Sequence, residues 1–123
     1  MRLPKSEEQL LQSLWQRKKA FMKDLIEDFP DPKPKPTTVA TFLKRMTEKK
    51  LIAFQKQGNV REYYALISKK EYFSKHFKGL MHTFFDDSAT QFASFFTETT
   101  ELSKEELESL RAMLDQQLKD KDA

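Results

Sequence analysis

The chain has 123 residues, of which 38% are hydrophobic and 33% charged, and a formal net charge of +3. That length fits one compact domain or a small domain with an appendage. The absence of Cys excludes disulfides and thiolate metal sites, and two Gly and five Pro are too few for a loop-rich sandwich or barrel, so helix is expected to dominate.

The N-terminus, MRLPKSEEQL, lacks the apolar stretch of a signal peptide, and no run approaches the ~20 apolar residues of a membrane span. A cytoplasmic protein with no membrane insertion is therefore expected. The charge is unevenly spread. Residues 1–70 hold 16 Lys and Arg against 8 Asp and Glu, or +8; residues 71–123 hold 6 against 11, or −5. The basic part suits a polyanion and the acidic part does not.

Ser6 with Gln9 three residues on has the form of a capping box, and Leu10, Leu11, Leu14 and Trp15 recur at helical spacing to about Arg17. A second helix is predicted from near Ala20, with Phe21, Leu25, Ile26 and Phe29 as its stripe. It stops before Pro30, because a residue ahead of Pro disfavours the α region. DPKPKP, residues 31–36, is a basic extended connector that carries Lys33 and Lys35. The third helix is expected to begin at Thr37 or Thr38. Val39, Phe42, Leu43 and Met46 fall at i, i+3, i+4 and i+7 and face a core. The opposite face holds Thr37, Ala40, Thr41, Lys44 and Glu48, flanked by Thr38 and Arg45. Leu51 to Gln57 reads as a strand with Leu51 and Ala53 on one face. Gly58-Asn59 is a turn, and Val60 to Ile67 returns with Tyr63 and Tyr64 on opposite faces.

Ser68 is placed to cap a long fourth helix with an apolar stripe running from Tyr72 to Phe85. Asp86-Asp87-Ser88 interrupts it. A short Phe-rich helix follows, and Ser103 with Glu106 forms a capping box for a last amphipathic helix. The predicted architecture is mainly α with a small β-wing: a winged helix-turn-helix over residues 1–70 and a helical dimerisation region over 71–123. The second part carries seven of the eleven Phe. Some 50 residues bury too little surface to fold well alone, and a second copy is the simplest remedy. The expected contact residues are Phe73, Phe77, Leu80, Met81 and Phe84 of the fourth helix. Phe92, Phe95 and Phe96 follow on the fifth, and Leu107, Leu110 and Leu114 on the last.

A helix with short polar and cationic side chains fits the DNA major groove, and a basic hairpin beside it fits the phosphate backbone. The residues expected on double-stranded DNA are Thr37, Thr38, Ala40, Thr41, Lys44 and Arg45 of the third helix. Lys35 joins them from the connector, and Lys56, Asn59 and Arg61 from the wing. Thr37 and Thr38 have a competing reading as helix caps, and Arg45 as an intrahelical or solvated charge. Trp15 is expected in the core. His76 and His82, six residues apart, do not share a helix face, so they make no metal pair. Asp86-Asp87 suits helix capping better than acid–base chemistry. No Ser-His-Asp set, Gly-rich phosphate loop or HExxH is present, so neither enzyme activity nor a cofactor is expected.

Several linked segments resemble the penicillinase-repressor (BlaI/MecI) family of bacterial transcriptional regulators. SEEQLLQSLWQ is similar to that family's opening helix. KPTTVATFLKRMTEKKLI follows its Thr-Thr-Val-x-Thr-x-Leu-x-Arg-Leu-x-x-Lys-Gly pattern at almost every slot. REYYALIS is similar to its Tyr-x-Tyr wing strand, and ELSKEELESLRAML to its C-terminal helix. The resemblance implies a homodimeric repressor on a palindromic operator, released when a membrane-bound sensor protease triggers cleavage of the dimerisation region. Three departures stand out. Lys50 replaces the Gly that ends the third helix, so a different helix end is expected there. The cleavage pair falls at Phe95-Phe96, without its Asn. The Cys cluster of the copper-responsive branch is missing. The alternative from another class is a winged-helix module that binds protein and not DNA; a third reading is a regulator with a ligand pocket among the C-terminal aromatics.

Overall fold

A computed structural model describes residues 2–123. Its elements in chain order are α1 (Lys5–Arg17), β1 (Ala20–Phe21), α2 (Met22–Glu27), α3 (Pro36–Glu48), β2 (Ile52–Gln57), β3 (Val60–Ala65), α4 (Lys69–Phe85), α5 (Ala89–Thr99) and α6 (Lys104–Asp122). The chain forms two compact units, one ending at Gly79 and the other running from Leu80 to Ala123.

The first unit is a winged helix. Its core draws Leu10, Leu11 and Leu14 from α1, Leu25 from α2 and Val39, Leu43 and Met46 from α3. Ala20, Ile52 and Tyr63 come from the three strands. The apolar residues of α1 and α3 recur every three or four positions, so each helix buries one stripe and leaves the other wet. The sheet is antiparallel in the order β1-β3-β2, with Ala20 opposite Tyr63 and Phe54 opposite Tyr63 on the other side. Gln57 pairs with Val60 across the Gly58-Asn59 loop, and Gly58 takes φ 68°, a left-handed value that a Cβ would disfavour.

Several local expectations are corrected. Ser6 does not cap α1; the helix starts at Lys5, and the Pro4 carbonyl accepts from the N–H groups of Glu7 and Glu8 at 3.0 Å each. The second helix starts two residues later than predicted, because Ala20 and Phe21 pair with β3 as a short edge strand. On β2 the buried residue is Ile52, with Ala53 and Phe54 half-buried, as is Leu51 just before the strand. Neither Thr37 nor Thr38 caps α3. Pro36 occupies its first turn, where a missing N–H costs nothing, and the Lys35 carbonyl accepts from Thr38 and Val39.

The end of α3 is a further correction. It closes in the left-handed turn that the absent Gly argued against. Lys50 takes φ 62°, its N–H bonds the Thr47 carbonyl at 3.0 Å, and Leu51 N–H bonds Met46 at 3.1 Å. That hydrogen-bond pair is a Schellman motif carried on Lys.

Capping boxes set the starts of α4 and α6. Ser68 Oγ accepts from Glu71 N–H while Glu71 Oε1 accepts from Ser68 N–H, and Ser103 and Glu106 repeat the arrangement. α4 stops where Asp86 and Asp87 take φ 52° and 59°, and Ser88 then caps α5. In the second unit Phe85 meets Phe92 edge-on and Phe95 at a tilt, both at 5.6 Å, and Phe92 stacks on Phe96. None of the described residues of α4, α5 and α6 is buried. No helix among the described residues is long and apolar enough to cross a membrane.

Candidate nucleic-acid interface

The two faces of α3 differ sharply. Val39, Leu43 and Met46 are at most 1% exposed, whereas Thr37, Thr38, Ala40, Thr41, Lys44 and Arg45 all face solvent. A core-facing stripe of this kind fixes the rotation of the helix, and so fixes which side chains project outward. Thr41 donates its hydroxyl to the Thr37 carbonyl at 3.0 Å, which leaves its oxygen as an acceptor for an outside donor. Lys35 is exposed at the N-cap of the same helix. Lys33 has a local role: its ammonium donates to the carbonyls of Glu27 and Phe29 at 2.9 Å each, closing the C-terminal end of α2.

Arg45 turns toward α1, where its Nη1 lies 3.7 Å from Glu7 Oε2. Lys49 reaches the same carboxylate from one turn on, Nζ to Oε1 at 3.7 Å. This trio was not legible in the chain, because Glu7 is some forty residues from its partners.

The wing brings Lys56 and Arg61 directly opposite each other in register. Like charges at paired positions repel and weaken a hairpin, and a neighbouring polyanion relieves the repulsion. Arg61 is partly held by Phe54, its guanidinium carbon 4.2 Å from the ring centroid. Asn59 is exposed in the loop itself. Between wing and helix lies a cavity of 670 Å³, walled by Phe21, Met22, Ala40, Val60 and Tyr63 and edged by Lys23, Asn59 and Arg61. The contribution of Phe21 to Lys23 to this trough leaves no signal in the sequence, since it follows from the two-residue strand β1.

The residues expected for dimerisation lie along open apolar surface. Phe73, Phe84, Phe95, Leu107 and Leu114 are between 46% and 69% exposed, Leu80 is 38% exposed, and Phe77, Met81, Phe92, Phe96 and Leu110 are half-buried. Burial raises the Glu8 carboxyl, but the Tyr72 hydroxyl at 2.5 Å and Arg2 at 3.3 Å outweigh it and hold the group below its ordinary value. Asp28 is lowered by its paired bonds from Arg17, at 2.7 and 2.8 Å. His82 is raised by Asp87, 2.9 Å away.

The penicillinase repressor family model matches residues 3–116. The chain belongs to the penicillinase repressor family. Among its relatives, the methicillin resistance regulatory protein MecI of Staphylococcus aureus strain N315 is 26% identical over 110 residues, covering 89% of each chain. MecI of Mammaliicoccus sciuri is 24% identical over the same share. A solved structure of Bordetella bronchiseptica BpsR, whose DNA binding is described as regulated by 6-hydroxynicotinic acid, superposes with a TM-score of 0.51. It covers 94% of this chain and 79% of that one, and at 14% identity the likeness is one of fold. As a penicillinase repressor family member, this chain is a transcriptional repressor of the MecI/BlaI type and not an enzyme.

Proposed function

We propose that the protein acts in the cytoplasm as a homodimer on a palindromic operator, with α3 of each copy in a major groove and each wing on the phosphate backbone. The observation that carries this reading is the outward face of α3. Thr37, Thr38, Ala40, Thr41 and Lys44 project from a helix whose opposite face is locked into the core. Thr supplies a hydroxyl and a methyl for base edges, Ala40 leaves room for a thymine methyl, and Lys44 reaches guanine or phosphate. Lys35, Lys56, Asn59 and Arg61 supply backbone contacts that set the register. Arg45 joins them when phosphate draws it from Glu7.

Dimerisation is supported by the open apolar residues of α4, α5 and α6, which include Phe84 at 69% and Leu114 at 65% exposure. Large apolar side chains left exposed in such number on a small unit support an interaction site there. Induction would then proceed through cleavage of the dimerisation region, triggered by a membrane-bound sensor protease. The Phe95-Phe96 bond lies inside α5, so cleavage there requires the helix to open first.

The test is a gel shift with duplex from the region upstream of the chain's own gene, together with sites recovered by selection from a random pool. Retarded, sequence-dependent bands are expected. Failure to enrich any sequence, with the protein folded and dimeric, favours a protein-binding module instead.

A further inference from the structure

We propose that Glu7 is a specificity-determining residue: it draws Arg45 and Lys49 onto α1 and so suppresses sequence-independent binding to DNA. The inference rests on the reading of α3 as the DNA-contacting helix.

Glu7 is fully buried, at 0% exposure, yet neither carboxylate oxygen accepts a hydrogen bond among the described residues. What faces it is charge alone, Arg45 and Lys49 at 3.7 Å each. A buried carboxylate without hydrogen bonds is a costly way to fill space, and an apolar side chain of similar size packs there more cheaply. What the carboxylate offers, and Leu or Met would not, is a counter-charge to α3. Arg45 and Lys49 are one helical turn apart and border the outward face that carries Thr41 and Lys44. Their side chains stay about half-exposed, at 49% and 47%. They are accessible to a phosphate, which has to compete with Glu7 for them.

Phosphate contacts add affinity for every sequence alike, whereas base contacts add it for one. Two unrestrained cations beside the groove-facing residues would therefore raise random binding. A single buried carboxylate against two cations cancels half of that charge and leaves Thr37 to Lys44 untouched.

The test is a fluorescence-anisotropy titration of the full chain against its selected site and a scrambled duplex, over a salt series. Native protein is expected to bind the selected site with a steep salt dependence; if it does not, the DNA-binding reading fails and takes the proposal with it. Given that binding, Glu7→Gln is expected to tighten scrambled-duplex binding several-fold and to steepen the salt slope by roughly 1, one added phosphate contact. The ratio of specific to random affinity falls. Glu7→Asp keeps the charge and is expected to stay near the native ratio. Unchanged or weaker scrambled-duplex binding by Glu7→Gln overturns the proposal, as does a fall in both affinities that simply follows thermal stability in both variants. If Glu7→Gln does not fold by circular dichroism, Lys49→Gln in the native background decides. Restraint predicts a slope change less than half that of Arg61→Gln, and an equal change overturns it.

Discussion

Lys50 shows how far one side chain can sit from the best choice for its position. It holds φ 62° at the end of α3, where Gly carries no steric cost. Lys50→Gly is expected to stabilise the protein by about 1 kcal/mol in urea unfolding, with no loss of secondary structure by circular dichroism. Tyr72 is the opposite case, a residue well used. Its hydroxyl donates to Glu8 and accepts from Leu3 N–H at 2.9 Å, tying α4 to α1 within the first unit. Tyr72→Phe is expected to cost about 1–2 kcal/mol. The sign of the accompanying pH effect follows from Glu8, whose folded value lies below the ordinary 4.5. The unfolded chain binds the proton more readily, so this contribution is present above about 4.5 and lost as pH falls through the folded value. Urea midpoints between pH 3 and 6 are expected to fall less steeply in Tyr72→Phe than in native protein. Parallel curves would show that the hydroxyl does not hold the carboxylate.

At the scale of elements, features with local causes were legible and features with distant causes were not. The Ser103–Glu106 box needs only residues three apart, and it forms as expected. Ser103→Ala is expected to reduce stability by about 1 kcal/mol, most visibly as faster amide exchange in the first turn of α6. The buried stripe of α3 was equally plain from its spacing. The same logic misplaced the start of α1, because a backbone carbonyl, that of Pro4, takes the capping role without any side-chain signature. It missed β1, since two residues leave no period to detect and the strand exists only by pairing with β3. The ring of charge around Glu7 went unseen for a related reason: sequence spacing within α1 says nothing about which helix will lie across it. The outward face of α3 could be read from the chain, whereas the restraint on its last turn and the trough beside the wing came from tertiary placement.

At the scale of the molecule, the uneven charge and the uneven burial fall together. The basic unit has a packed core and an outward polar helix, and the acidic unit has ring contacts but no buried side chain among α5 and α6. A unit in that condition gains most from a partner, and a second copy also doubles the contacts available to a two-fold operator. Phe84→Asp and Leu114→Asp are each expected to shift sedimentation toward monomer and to lower operator affinity at least tenfold, while the thermal transition of the winged unit changes little. A variant that stays dimeric with native affinity would place the interface elsewhere.

The central claim is that α3 reads base sequence, and the Lys44→Ala variant tests it most directly. Anisotropy titrations on selected and scrambled duplexes, run at matched salt beside Arg61→Ala, separate groove reading from backbone contact. Lys44→Ala is expected to weaken the selected site by about tenfold and the scrambled duplex much less, while Arg61→Ala weakens both alike and flattens the salt slope by roughly 1. Equal losses on both duplexes for Lys44→Ala, or no loss at all, would contradict the account.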